Sequence, residues 1–320
     1  MDNSVASGSA GSHEAATGAL WWAATAAVAA LLTALLYGIT VGYGFHYDDY
    51  HFVRPYTARD LLAAFHGPWD SAGIEAPYYR PLTICLYAAR FAAFGVDARA
   101  HHAASLILFA LAATLFGLFA ARICGWRAAG PIAAAVLVLH PGMPYSAVAW
   151  VTNQMHLAAM IVVFSALLWW FHVRDRHAGW WLPLLALQAA AFLIKEDGVM
   201  LVPAIVLLHA LRRRLVERDL PRVPWRFLAA AAMVGAALLL LRAAALHGTR
   251  APGLPSFDQA WNNWTRALGS AWRLLPAKRH WQPAASWFVT ITPLLAIALW
   301  RRLSGGVRFA FVSGIVLAVL

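Results

Sequence analysis

Cysteine is almost missing from this chain, and charge is thin. Two cysteines, Cys85 and Cys124, stand in 320 residues, too few for a disulfide framework. Charged residues make up 12%, about half of what a soluble domain carries, so a water-soluble domain is excluded. Acid is the scarcest charge, with 14 Asp and Glu against 25 Lys and Arg. No internal repeat is visible, and no low-complexity segment beyond the N-terminal tail. Neither lysine nor arginine precedes the first apolar run. That run is also longer than a signal-peptide core, so it reads as a retained anchor.

What the chain has in excess is apolar surface. It is 62% hydrophobic with a mean hydropathy of +0.62, the composition of a polytopic membrane protein. Sixteen Trp and nine Tyr suit aromatic belts at two interfaces. The net charge of +11 does not indicate a nucleic-acid partner. The arginines cluster in short loops between apolar runs, where they set topology and meet anionic lipid headgroups.

Leu20–Val41, Ala103–Ala121, Ala147–Phe171 and Phe227–Leu246 read as spans, with Ser286–Trp300 as a further one. Ala128–His140 is shorter and is stopped by Pro141 and Pro144. Pro81–Val96 is apolar but carries Arg90. If it does not cross, Arg122, Arg127, Arg174, Arg176, Arg212–Arg214, Arg218, Arg222, Arg226, Arg301, Arg302 and Arg308 share one side. That is the positive-inside pattern, so 81–96 is expected to lie in the interface. Trp180–Ile194 and Gly198–Leu211 flank Lys195-Glu196-Asp197. Each half is about 15 residues, roughly 22 Å of helix against a ~30 Å hydrocarbon core. Arginine-rich flanks put both far ends on one side, so the pair is expected to form a hairpin whose turn sits below the outer surface.

The resulting expectation is an all-α, polytopic transmembrane module over residues 20–320, with about nine crossings. Residues 1–19 read as a disordered cytoplasmic tail. A first outer loop covers 42–102 and a second outer segment 247–285. In the second, Trp261, Trp264, Trp272 and Trp281 with Arg266, Arg273, Lys278 and Arg279 read as a surface-lying helix. The last apolar run, Val307–Leu320, is short for a crossing, and the chain reads as the front of a longer protein. Cys85 and Cys124 fall on opposite sides and should not pair.

Polar residues of chemical interest gather at the expected outer side. "HYDDYH" puts Asp48 and Asp49 directly after the first span. They are either a solvated loop end or a general base whose surroundings tune its pKa. His46 and His51 with Asp48 and Asp49 also form a candidate divalent-metal set. Arg80 in "YYRPL" is either a headgroup anchor or a bidentate phosphate clamp. Lys195, Glu196 and Asp197 are costly at membrane depth, where charges pair or serve a ligand. A Lys195–Glu196 ion pair is the structural reading, and a cation for a bound phosphate is the functional one. Trp150, Asn153 and His156 share one face of the fourth helix at i, i+3 and i+6. They serve either interhelical hydrogen bonding or substrate contact, as does His140.

In order, Asp48-Asp49, "YYRPLTICLYAARFAAFGV", "HHAASLILFALAATLFGLFAAR", "LVLHPGMPYSAVAWV" and "LIKEDGVMLVP" resemble the polyprenyl-phosphate-sugar-dependent GT-C glycosyltransferases. The similarity covers about residues 20–215 and is greatest to the TPR-containing O-mannosyltransferases and their bacterial relatives. The resemblance implies a GT-C-like helical module with a long first outer loop. It implies inverting transfer of a sugar from a lipid-linked phosphate donor to a hydroxyl on a protein, glycan or lipid acceptor. Its acidic pair maps to Asp48 and Asp49, its Arg-Pro-Leu to Arg80–Leu82, its His-Pro to His140–Pro141, and its Lys-Glu to Lys195–Glu196. Asp48 and Asp49 would then be catalytic, and Arg80 and Lys195 would bind the donor phosphate. His140, Asn153, His156 and Glu196 would contact substrate. Where relatives carry Glu, Arg and Asp around "AVAW", this chain has Ser146, Gln154 and His156. No cofactor is required by this chemistry, and the metal question stays open. A transporter and a catalytically inactive scaffold are the rival readings. Alanine- and arginine-rich usage without eukaryotic sorting signals leads to the expectation of a bacterial inner membrane, with the site facing the periplasm.

Overall fold

The computed structural model describes residues 5–69, 78–140, 147–173, 181–218, 225–246, 304–309 and 313, with backbone alone for 5–17. The segment 247–285, the span Ser286–Trp300 and most of Val307–Leu320 lie outside the described residues, as do Pro141, Pro144, Ser146, Arg174 and Arg176.

Every regular element among the described residues is helical. Four helices are long and apolar enough to cross a membrane: Gly18–Gly42, Ala98–Cys124, Val151–Val173 and Trp225–Ala245. The first belongs to α1, Val5–Tyr37, which ends in a 3-10 turn at Gly38–Gly42. The backbone is thus helical well upstream of Leu20, through a stretch expected to be disordered. Five of residues 5–19 are alanine, the strongest helix former, and they offset the three glycines of the same stretch. Then come α2 (Asp49–Phe52), α3 (Ala58–Ala64), α4 (Pro81–Phe94), α5 (Ala98–Cys124) and α6 (Ala129–Leu139). They are followed by α7 (Gln154–Val173), α8 (Leu182–Ile194), α9 (Leu201–Arg212) and α10 (Trp225–Ala245).

The long helices and the shorter α6, α8 and α9 alternate in direction, so their ends sort into two groups. At one end lie Arg122, Arg127, Arg212–Arg214, Arg218 and Arg226. At the other lie residues 43–69 and 78–97, His140, 147–153 and the turn 195–200. The α8–α9 hairpin forms as expected. Its 3-10 turn, Glu196–Met200, folds back onto α8 so tightly that a Cβ on Gly198 would stand 2.3 Å from the Ala191 carbonyl carbon. Only glycine fits there.

Between lipid-facing helices, close backbone approach replaces the hydrophobic effect as the source of association. Here α1, α5 and α6 meet through small residues. A Cβ on Gly117 would lie 2.4 Å from the Gly130 carbonyl and 2.8 Å from the Thr25 methyl. Above this contact Ala29, Phe109, Ala134, Val138 and Leu157 form one core. A larger core nearer the arginine end joins Phe119, Trp170, Leu184, Ile205 and Phe227.

Two elements differ from the hydropathy reading or refine it. The apolar stretch Ala147–Phe171 is not one helix. A 3-10 turn at Val151–Asn153 precedes α7, and Trp150 stands in extended conformation before it. The common helical face expected for Trp150, Asn153 and His156 is therefore broken. The cause is the Asp49 carboxylate, which accepts from the Val151 and Thr152 amides and so competes with a regular helical start. The second is α4. It runs across helix ends rather than beside helices: Thr83 bonds to the Ile194 carbonyl, Tyr87 to the Thr152 carbonyl and Arg90 to the His101 carbonyl.

Candidate active site at the loop end

The loop after α1 is closed by aromatic packing. Phe45 meets Tyr50 and His101, and Phe52 sits between Trp69 and Tyr87 at 4.6 and 5.1 Å. This arrangement gives the two adjacent carboxylates opposite environments. Asp49 is fully buried. Its Oδ1 accepts from the Thr152 amide at 2.7 Å and the Thr152 hydroxyl at 2.5 Å. Its Oδ2 accepts from the His46 amide at 2.9 Å and the Val151 amide at 3.4 Å. A carboxylate so enclosed holds the loop against the start of α7. With both oxygens filled it suits a clasp rather than the general base expected of it. Asp48 opens α2 and is half-buried, with no capping bond from its side chain. Of the acidic pair it alone keeps its oxygens available.

Beside Asp48, Tyr47 has a left-handed backbone (φ 43°), a conformation that strains a bulky residue. Its ring is 78% exposed and stands 5.7 Å from Trp150 and 5.4 Å from His46. His51 packs on Phe52. Among the described residues no three His, Cys, Asp or Glu side chains converge as a metal site.

The second half of the site hangs from α4. Arg80, Thr83, Tyr87 and Arg90 follow one another at helical spacing, and all four are buried. The Arg80 Nε–H donates to Glu196 Oε2 at 2.9 Å, and the Tyr79 amide donates to Glu196 Oε1 at 2.7 Å. The guanidinium lies 4.0 Å from the Tyr78 ring centroid and 5.2 Å from that of Trp69, and its Nη1 reaches the Met155 sulfur. Glu196 thus pairs with Arg80, 116 residues away, and not with Lys195. Lys195 pairs instead with Asp197, which is well exposed. His156 lies within electrostatic reach of Lys195, Arg80 and Asp197. Arg90 donates to the His101 carbonyl and to Ser105. Burial pulls its guanidinium down to about 10, and burial pushes the Tyr87 hydroxyl well above its ordinary range.

Buried Tyr79, Arg80 and Tyr87 fill the space between α4 and the neighbouring helix ends. Arg80, Lys195, Glu196 and His156 come together. Asn153 sits in the 3-10 turn one residue from Thr152. His140 caps α6, with its amide bonded to the Leu137 carbonyl. Thr152, Met155, Tyr87, Arg90 and Trp69 are participants that motif reasoning passed over. The polar stripe 80, 83, 87, 90 within an apolar helix was the available signal for two of them.

Comparison with protein families, with curated proteins and with solved structures returns no match to this chain.

Proposed function

We propose that this chain is the transmembrane module of a glycosyltransferase of GT-C type. It would move a sugar from a polyprenyl-phosphate donor to an acceptor hydroxyl, with inversion. On this reading the short helices α6, α8 and α9 also cross, and the full count of about nine includes spans beyond residue 246. The arginine end faces the cytoplasm. The loop end faces the periplasm of a bacterial inner membrane.

One observation carries the reading. At one end of an apolar bundle an available carboxylate, Asp48, is held by a buried and bonded neighbour, and the cations Lys195 and Arg80 stand at that same end. In the reaction the acceptor oxygen forms a bond to the anomeric carbon as the carbon–phosphate-oxygen bond breaks. The acceptor proton passes to Asp48. The polyprenyl phosphate leaves with increased negative charge, which a fixed cation stabilises. Lys195 suits that role because its present partner, Asp197, lies in solvent and yields to a phosphate at little cost. Arg80 is held by Glu196, so it fixes the turn bearing Lys195 and adds positive potential. The exposed Tyr47 ring, with half-buried Trp150 beside it, suits stacking against a sugar face.

The inactive-scaffold reading gains from the same ion pairs, because both cations already have carboxylate partners. Turnover separates the two. The full chain, purified in lipid, is supplied with polyprenyl-phosphate sugars and release of polyprenyl phosphate is followed. Turnover by wild type and its loss in Asp48→Asn, with melting temperature kept, supports the enzyme. Turnover unchanged in Asp48→Asn removes Asp48 from catalysis. Absence of turnover with every donor favours the scaffold.

A further inference from the structure

At the arginine end, about 40 Å of α5 away from Asp48, the helices leave a cleft of about 320 Å³. Gly18, Trp21, Trp22 and Thr25 of α1 line one side. Leu118, Ala121 and Arg122 of α5, with Gly125 and Arg127 of the turn that follows, line the other. Thr25 and Leu118 are buried and make an apolar floor. The Thr25 hydroxyl is turned to the Trp21 carbonyl at 2.7 Å and shows its methyl to Gly117. Arg122 and Arg127 stand exposed at the rim, brought together because the chain reverses at Gly125. Among the described residues no acidic side chain lines the cleft, and none of them makes a bond or ion pair with the Arg122 guanidinium.

An apolar floor, two indoles on the α1 side and the Arg122 guanidinium at the rim match one kind of molecule. We propose that this cleft binds the phosphate headgroup and upper acyl chain of an anionic phospholipid from the leaflet at the arginine end. Arginine suits phosphate because its fork of donors meets two oxygens at once. Tryptophan at this depth packs on the glycerol and first methylenes while its N–H faces the headgroup. A free phosphate would satisfy the rim and leave the floor and indoles unused, so the lipid is the occupant. The site does not depend on sugar transfer at the other end. It rests on α1 and α5 lying in a bilayer.

The test uses the whole chain in zwitterionic detergent micelles. Binding of fluorescent short-chain phosphatidylglycerol is measured by titration, with phosphatidylcholine and inorganic phosphate as competitors. Arg122→Gln is expected to weaken phosphatidylglycerol binding about tenfold. Arg122→Lys, which keeps the charge, should weaken it less. Arg226→Gln removes a charge from the same end of the molecule without touching the cleft, and should leave binding unchanged. Equal losses for Arg122→Gln and Arg226→Gln would reduce the effect to general surface charge and overturn the site. Competition by phosphatidylcholine as strong as by unlabelled phosphatidylglycerol would do the same. Displacement by inorganic phosphate at lipid-like concentrations would assign the cleft to a soluble anion instead. If Arg122→Gln does not fold, Trp22→Leu on the opposite wall gives the same reading. It should bind several-fold more weakly, and unaltered binding would overturn the lipid contact.

Discussion

Adjacent aspartates divide the work at the loop end because one faces inward and the other does not. Asp49→Asn keeps the shape but places an amide N–H₂ against amide and hydroxyl donors. It is expected to cost about 1–3 kcal/mol and to lower the melting temperature in detergent. Asp48→Asn should leave the melting temperature within a degree or two and cut turnover by about 10²–10⁴. The reverse result, a stable Asp49→Asn with no turnover and an unstable Asp48→Asn with full turnover, would exchange their roles. At Arg80–Glu196 the buried pair makes single and double substitutions behave differently. Glu196→Gln strands a buried guanidinium at about 3–5 kcal/mol. Arg80→Met combined with Glu196→Gln should cost less than the two singles together, which a double-mutant cycle of melting curves measures. None of this was legible in the motifs. Neighbouring positions are equivalent to a hydropathy scan, and a partner 116 residues distant leaves no local trace. What the sequence did carry was the collection of Asp48, Arg80, Lys195 and Glu196 at one end, because apolar runs fix which loops share a side.

Among the elements, the hairpin and the lateral α4 follow from simple constraints. Fifteen apolar residues with arginine on both far flanks can hardly do otherwise than turn back, and a crossing α4 would have scattered the arginines. The break at Val151–Asn153 was invisible because the residues around it are as apolar as the helix they precede. It exists only through the Asp49 bonds. Packing of α1, α5 and α6 depends on missing side chains. Gly117→Leu should force the three helices apart and cost several kcal/mol, about the range of severe overpacking, with a matching loss of folded yield in detergent. The small helix α3 carries a capping box between Thr57 and Asp60. The Thr57 backbone amide and then its hydroxyl hold the Asp60 carboxyl below the usual carboxylate range. A depressed folded-state pKa gives a stabilisation that is complete above the unfolded value and is lost as pH falls through the folded one. Amide exchange in α3 should therefore be unchanged from pH 7 to 5 and should speed up toward pH 3, relative to α4, after correction for intrinsic rates. Equal change in both helices would remove the cap as the cause.

Across the whole molecule the two ends differ in charge and in chemistry. The native cysteines report on this directly. Cys124 closes α5 beside the arginines and is exposed; Cys85 lies half-buried on α4 at the other end. Burial pushes the Cys85 thiol up, so it reacts slowly. A membrane-impermeant maleimide should label Cys124 in inverted vesicles and not in intact spheroplasts. Labelling of Cys124 from the outside would reverse the orientation.

The helix that straps the loop end also sets a schedule. Arg80 is synthesised 116 residues before the Glu196 that receives it. At about 5–20 residues per second, α4 waits on the order of ten seconds with its polar face unclaimed. Until Thr152, Met155 and Ile194 emerge in turn, Tyr87, Arg80 and Thr83 lack the partners they hold in the folded bundle. The site therefore closes only once α8 and its turn have emerged, and nascent chains arrested before the α8–α9 turn should leave the first loop open to protease.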